Sequence, residues 1–364
     1  MYNEKQKTKM VKYSCERCGK GFSQKSHYDS HNKRKTPCDN NADNIKALVD
    51  NAVEEKIKDI NNKKLIVQNE NIQINTHIMQ SQPNEVKYID LFCGIGSFHY
   101  SFQKLGFKCV MASDIYKPAK DNYKQNYNMD ILDDICDIDP STIEPYDILC
   151  AGFPCQPFSQ AGKHMGFEDN RGTMFSQVMR FVKTNIPKIV VLENVQALLN
   201  HDNGNSFDKI KQDLENEGYN IVYKVLKCSD YGIPQMRKRL FIVGFKNVEV
   251  NNLDSFFNLD EYEQKTTMTD YLGKNFKKDT AYTLRCGGKK SPINDRHNWD
   301  GYWVDEKEYR LTIDDGLKLQ GFHDFDFIGK DSEKWKLLGN TIPTIFTEII
   351  GRQIIKHSAL NSNV

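Results

Sequence analysis

From Val86 onward, short apolar runs alternate with longer stretches of helical periodicity, and that alternation leaves few folds open. The runs are VKYIDLF, FKCVMASD, DILCAG, KIVVLEN and RLFIVGF, each rich in strand-forming residues and short enough for a strand. Between them, residues 97–105, 116–126, 173–183 and 206–217 read as helices. Strand alternating with helix predicts an α/β fold with a doubly wound, mostly parallel sheet. Sites in such sheets lie at the carboxyl ends of the strands. Asp90, Asp114, Cys155 and Glu193 all fall at such ends.

The chain has 364 residues, enough for one large domain or two smaller ones. With 38% hydrophobic residues and 20 Phe it fills a real core. No apolar stretch reaches the ~18 residues of a membrane span. The Lys-rich N-terminus lacks the apolar segment of a signal peptide. Ten cysteines, most scattered singly on strand candidates, fit a reducing compartment better than a disulfide framework. Net charge is only +1, but residues 1–38 carry ten Lys/Arg against three Asp/Glu. A basic head on a near-neutral body suits a polyanion partner, although charge alone favours a solvated tail.

That head, YSCERCGKGFSQKSHYDSHNKRKTPC over 13–38, has metal-ligand spacing. Cys15 and Cys18 sit two residues apart, Phe22 follows four positions later, and His31 lies thirteen after Cys18. The unit resembles the Cys-Cys-His-His zinc finger with Cys38 replacing the second His. Six residues separate His31 from Cys38, more than the usual three to five. Cys15, Cys18, His31 and Cys38 are the expected zinc ligands, with His27 the competing third ligand. So small a unit needs its metal to fold. Beyond it, residues 44–60 have the pattern of an amphipathic helix able to self-associate, and 61–85 that of a polar linker.

The first strand runs into Asp90-Leu91-Phe92-Cys93-Gly94-Ile95-Gly96-Ser97. Glycines allow a tight turn and close backbone approach to a ligand. A dinucleotide fingerprint needs a third Gly at position 99, where this chain has His99, so a pyrophosphate cradle is disfavoured. Asp114, at the end of the second strand, is placed to accept from ribose hydroxyls. A nucleoside without phosphates points to S-adenosylmethionine. A lone Gly-x-Gly is a weak signal; its place after a strand, with an acid downstream, strengthens it.

Together these segments resemble the DNA (cytosine-5)-methyltransferase family. DLFCGIGS is similar to its cofactor motif, SDIYKPA to its ribose motif, and GFPCQPFSQAG to its catalytic loop. LENV is similar to the motif carrying the catalytic glutamate, and QMRKR to its Gln-x-Arg-x-Arg motif. YRLTIDDGLKLQGF and LLGNTIP resemble the two closing blocks. The order is the family's across 86–356, which makes the match specific. Ser97 stands where Gly is frequent, and Thr341 where Ser is frequent. The resemblance implies a C-terminal helix packed beside the first strand. It implies a cofactor pocket of Phe92, Gly94, Ile95, Gly96, Asp114, Ile115, Asp134, Ile135 and Asn340. The related RNA-methylating branch differs in the catalytic loop, and GFPCQPFS reads as the DNA type. A fold that binds without catalysis is disfavoured, because every expected catalytic residue is present.

The chemistry explains the residue types. Carbon 5 of cytosine is a poor nucleophile until a thiolate adds at carbon 6, which is covalent catalysis. Cys155 is the expected nucleophile, presented by a turn containing Gly152 and Pro154. Cys93, Cys109, Cys136, Cys150 and Cys228 read as structural. Glu193, after the apolar run Ile189–Leu192, is placed in a setting that favours its acid form and proton donation to ring nitrogen 3. Arg237 and Arg239 share one face of an extended segment. The resemblance implies that one holds the cytosine oxygen 2 and the other supports the site or a phosphate. The base must leave the helix to react. Gln156 is implied to fill the vacated space, and Ser159 and Lys163 suit phosphates on a loop that closes over DNA.

Residues 246–309 break the α/β pattern and hold Thr283-Leu284-Arg285-Cys286-Gly287-Gly288, then DRHNWDGYW. The resemblance places a target-recognition domain here, with Gln235, Thr283 and Arg285 as DNA contacts; Arg285 suits the two acceptors of guanine. Arg296, His297 and Trp299 are left open between reading, stacking and packing. The expected organisation is a finger (1–40), a linker (41–85), a catalytic domain (86–245 with 310–356) and the recognition domain (246–309). Double-stranded DNA is the expected partner, within an intracellular compartment and without membrane. The protein is expected to act as a monomer on DNA, alone or beside a cognate restriction endonuclease.

Overall fold

The computed structural model describes residues 12–34, 85–154, 174–248, 253–259 and 265–358. Cys155, Gln156, Ser159, Lys163, Cys38 and the 44–60 helix candidate lie outside the described residues. The chain divides into two units, Met1–Gln80 and Ser81–Val364.

In the first unit, β1 (Tyr13–Ser14) pairs antiparallel with β2 (Gly21–Phe22), and α1 (Lys25–Asn32) follows. Gly19 turns the hairpin with φ of 69°. Phe22 packs against His31 with ring centroids 4.9 Å apart, and Tyr28 stacks on Tyr13.

The second unit is built on a six-stranded sheet in the order β4-β3-β5-β6-β8-β7. Strands β3 (Lys87–Leu91), β4 (Lys108–Ser113), β5 (Ile148–Ala151) and β6 (Ile189–Asn194) are parallel. Strands β7 (Asn220–Lys227) and β8 (Lys238–Phe245) add antiparallel at one end. The mostly parallel sheet expected from the alternation is present. Strand β7 was not among the expected runs: as a half-exposed edge strand it mixes Asn220, Lys224 and Lys227 with its apolar residues.

Helices cover both faces. On one, α2 (Ser97–Phe102) and the C-terminal α9 (Thr344–His357) join Phe98, Phe102, Phe346, Ile350 and Ile354 to Tyr88 of β3. The pair is pinned by Ser101 Oγ to Thr347 Oγ1 at 2.7 Å and by Thr347 Oγ1 donating to the Ser97 carbonyl at 2.9 Å. The C-terminal helix therefore returns to the first strand, as expected. On the other face, α4 (Met174–Asn185) buries Phe175, Val178, Phe181 and Val182, and α5 (Asn205–Asn216) buries Phe207, Ile210 and Leu214. This three-to-four spacing is an amphipathic helix's apolar stripe. Each fully buried side chain of this size contributes about 1.5–3 kcal/mol.

A third apolar cluster joins α6 (Met268–Leu272) and Trp299 to α7 (Ile313–Leu319) and α8 (Asp331–Asn340). It includes residues on both sides of position 310. The β9 (Gly301–Val304) and β10 (Lys307–Arg310) hairpin edges it. Among the described residues, no helix is long and apolar enough to cross a membrane.

Candidate active site and cofactor cavity

A cavity of about 820 Å³ opens where β3, β4, β5 and β6 end. It is within the size range of small-molecule sites. Its floor is the turn after β3, where Phe92 has φ of 58° and Gly94 φ of 57°. The left-handed conformation costs Phe92 what it spares glycine, and such strain collects at functional positions. A side chain built at Gly94 would meet nothing within 4 Å, so open space faces the backbone there.

Asp114 holds this turn in place. Its Oδ2 accepts from the Gly94 N–H at 2.9 Å and its Oδ1 from the Tyr116 N–H at 2.8 Å. Burial pushes its carboxyl above the ordinary range, with the two N–H groups pulling the other way. Behind the turn, Tyr127 donates to the Ile95 and Gly96 carbonyls at 3.1 and 3.0 Å and stacks on His99 at 4.1 Å. Burial lowers His99 to about 4, so it is neutral, and its Nδ1 lies 2.7 Å from the Tyr123 hydroxyl. Sequence reasoning used His99 only to exclude a pyrophosphate cradle. In the fold it and Tyr127 brace the loop.

Phe92, Gly94, Ile95, Asp114, Ile115, Asp134, Ile135 and Asn340 all line the cavity. Gly96 does not: a Cβ there would stand 2.5 Å from the Tyr127 ring, so its glycine serves packing and a φ of 81°. Ile115 is 72% exposed, an unusual setting for a large apolar side chain and a flat surface for a ligand. Asp90, not assigned from sequence, also lines the cavity. It is buried, its Oδ2 has no hydrogen-bond partner, and burial together with Asp114 raises its pKa well above the ordinary range.

At the end of β6, Glu193 is buried on the same cavity. Arg239 Nε stands 2.7 Å from its Oε1, a largely buried ion pair. Burial raises the Glu193 pKa; Arg239 and then Arg237 pull it down. Gly152 lies against the Glu193 carboxyl, and a Cβ at that position would come 3.5 Å from Oε2. Asn194 Nδ2 donates to the Phe153 carbonyl at 3.0 Å, which ties the glutamate strand to the turn leading to Cys155. Pro154, the residue before Cys155, lines the cavity. The Asn194 tie was missed because asparagine after a strand reads equally as a turn residue.

The two arginines differ in depth. Arg239 lines the cavity, whereas Arg237 is fully buried, its NH1 donating to the Leu284 carbonyl at 3.1 Å and its NH2 to the Gly339 carbonyl at 2.9 Å. Burial, then Arg239, lower it to about 9, still charged at neutral pH. Gln235 is likewise fully buried, donating to the Leu319 carbonyl at 2.7 Å and accepting from the Leu284 N–H at 3.2 Å. The expectation that Gln235 touches DNA is corrected: both ends of its amide are engaged inside the protein. Gln235 and Arg237 anchor the segment carrying Thr283 and Arg285, and Arg285 itself is exposed. Trp299 packs, buried in the core with its Nε1 donating to the Gly287 carbonyl at 2.8 Å; Arg296 and His297 stay exposed.

The sequence profile of C-5 cytosine-specific DNA methylases matches residues 86–302. The chain is 37% identical over 285 residues to the Type II methyltransferase M.HaeII of Haemophilus aegyptius, covering 71% of this chain and 89% of that protein. It belongs to the C-5 cytosine-specific DNA methylase family. The Type II methyltransferase M.HhaI of Haemophilus parahaemolyticus is 39% identical over 195 residues, 54% of this chain and 59% of the other. The Dnmt2 methyltransferase of S. pombe superposes with a TM-score of 0.61 at 18% identity, over 75% of this chain and 99% of that one, a likeness of fold.

Burial pushes Cys109 and Cys228 up to about 12, and Cys93 and Cys150 well above the ordinary value. In the N-terminal unit, ligand atoms of Cys15, Cys18 and His31 lie within 4.8 Å of one another, with Cys18 Sγ 3.3 Å from His31 Nε2. His31 is buried there, and the competing His27 is exposed.

Proposed function

We propose that this methylase transfers a methyl group from S-adenosylmethionine to carbon 5 of a cytosine in a specific double-stranded DNA sequence, through base flipping and a covalent adduct with Cys155. The observation that carries the reading is the Glu193–Arg239 pair on the wall of the cavity that Pro154 also lines. Acid, cation and the lead-in to a nucleophilic thiol thus open into one space. The donors fit the cofactor. Asp114 retains lone pairs for ribose hydroxyls, and Ile115 offers apolar surface. The cofactor supplies an electrophilic methyl group on a sulfonium.

The protein's own residues do the rest. Cys155 adds its sulfur, as the thiolate, to carbon 6, electrons move toward nitrogen 3, and Glu193 gives that atom a proton; once carbon 5 has taken the methyl group, loss of its hydrogen as a proton expels the Cys155 sulfur and the nitrogen 3 proton returns to Glu193. Its burial favours the acid form that donation requires. Arg239 donates to oxygen 2 and steadies Glu193. Arg237 and Gln235 hold the target loop that presents Arg285 and Thr283. Gln156, Ser159 and Lys163 serve the opened helix and its phosphates. Within this reading the catalytic domain is 86–245 with 310–356 and the target-recognition domain is 246–309. The similarity to Type II methyltransferases supports a modification role beside a restriction endonuclease.

For the N-terminal unit we propose a structural zinc held by Cys15, Cys18, His31 and Cys38, the finger adding DNA affinity. Three converging N/S donors suit tetrahedral zinc. Bisulfite sequencing of DNA exposed to the purified protein and methyl donor tests the main reading. Protected cytosines within one short sequence are expected; uniform conversion contradicts it.

A further inference from the structure

The loop that carries Arg285 and the end of helix α8 are fastened to each other at three points. Gly339 has no room for a side chain: a Cβ there would stand 2.3 Å from the Cys286 backbone nitrogen and 2.4 Å from the Arg285 carbonyl carbon. Arg237, buried beneath both, bonds the Leu284 and Gly339 carbonyls at once. At the surface, Cys286 Sγ lies 2.9 Å from Asn340 Oδ1. Asn340 in turn lines the cavity.

We propose that Cys286 is a positioning residue that links target-loop engagement to cofactor binding, its thiol holding the Asn340 side chain at the cavity rim. This rests on reading the cavity as the S-adenosylmethionine site and the loop as a DNA contact. A thiol donor occupies the amide oxygen and leaves the amide nitrogen as the outward donor. The thiol keeps its proton at neutral pH, since burial raises it against the pull of Arg237 and Lys336. A loop shifted by DNA cannot leave Asn340 where it was, because the backbone contact at Gly339 is already tight and the Arg237 bonds are buried. The link is reciprocal: what loop engagement adds to cofactor affinity, cofactor adds to DNA affinity.

Calorimetric titration of S-adenosylhomocysteine tests this, using the full chain as wild type, Cys286→Ala and Cys286→Ser. Each is measured alone and saturated with the duplex that wild type methylates. Losing one hydrogen bond of this kind is expected to weaken Cys286→Ala about five- to tenfold. In that variant the affinity gained on adding duplex is smaller than in wild type, the Gly339 contact and the Arg237 bonds remaining. Cys286→Ser, which keeps a donor at the same position, restores both. Equal affinities and equal gains in all three proteins overturn the link, as does a loss that serine fails to reverse. Wild type that binds no S-adenosylhomocysteine overturns the cofactor reading instead.

Discussion

At Glu193 a carboxyl is held between two demands, proton donation and burial beside a cation. Burial raises its pKa, so its folded-state contribution to stability is complete below the ordinary glutamate value and is lost as pH rises through the raised one. The melting temperature of Glu193→Gln should therefore gain on wild type as pH rises through that window. Methylation by wild type should fall over the same rise, as the acid form disappears. In single-turnover assays Glu193→Gln is expected to lose about 10²–10⁴ in rate, the usual size of a general-acid contribution. Its affinity for S-adenosylhomocysteine should hold. An unchanged rate removes the acid role. The setting of Glu193 was legible because four apolar residues precede it. The depth of Arg237 was not. Spacing placed both arginines on one face, and only the loop at Leu284 and the helix end at Gly339 show why one of them lies buried.

Elements carry the next layer. The turn between β3 and α2 is held from below by Tyr127 and from the side by Asp114, neither of which is near it in sequence. Removing the Tyr127 hydroxyl leaves the Ile95 and Gly96 carbonyls without that donor. Tyr127→Phe is expected to weaken S-adenosylhomocysteine about threefold to tenfold with the fold intact. Equilibrium dialysis beside a melting curve reads both, and unaltered affinity refutes the brace. Gly339→Ala is expected to push the Arg285–Cys286 backbone off helix α8 and lower both DNA and cofactor affinity by more than tenfold, since backbone contacts of 2.3 and 2.4 Å cannot be relieved by a side-chain rotation. Retained affinity for both ligands would argue that the loop is free of the helix. Parallel strands β3 to β6 were legible because burial on both faces makes them continuous apolar runs. Strand β7 was not, because an edge strand mixes polar residues into its run.

For the whole molecule, the chain divides into an N-terminal unit, Met1–Gln80, and a methylase unit, Ser81–Val364. Zinc measurement on the purified chain should give one ion, lost with Cys15→Ser. Deleting residues 1–40 should weaken DNA binding and flatten its dependence on salt, as phosphate contacts are removed. An unchanged slope would leave the finger to some role other than DNA. Spacing brought Cys15, Cys18 and His31 forward as candidate ligands, and their ligand atoms lie within 4.8 Å of one another, whereas His27 is exposed. The most direct test of the covalent chemistry is trapping with a duplex carrying 5-fluorocytosine at the methylated position, incubated with S-adenosylmethionine and resolved by peptide mass spectrometry. An irreversible DNA adduct on Cys155, absent from Cys155→Ala, is expected. Methyl transfer that proceeds without any trapped complex, or that survives Cys155→Ala, contradicts the mechanism.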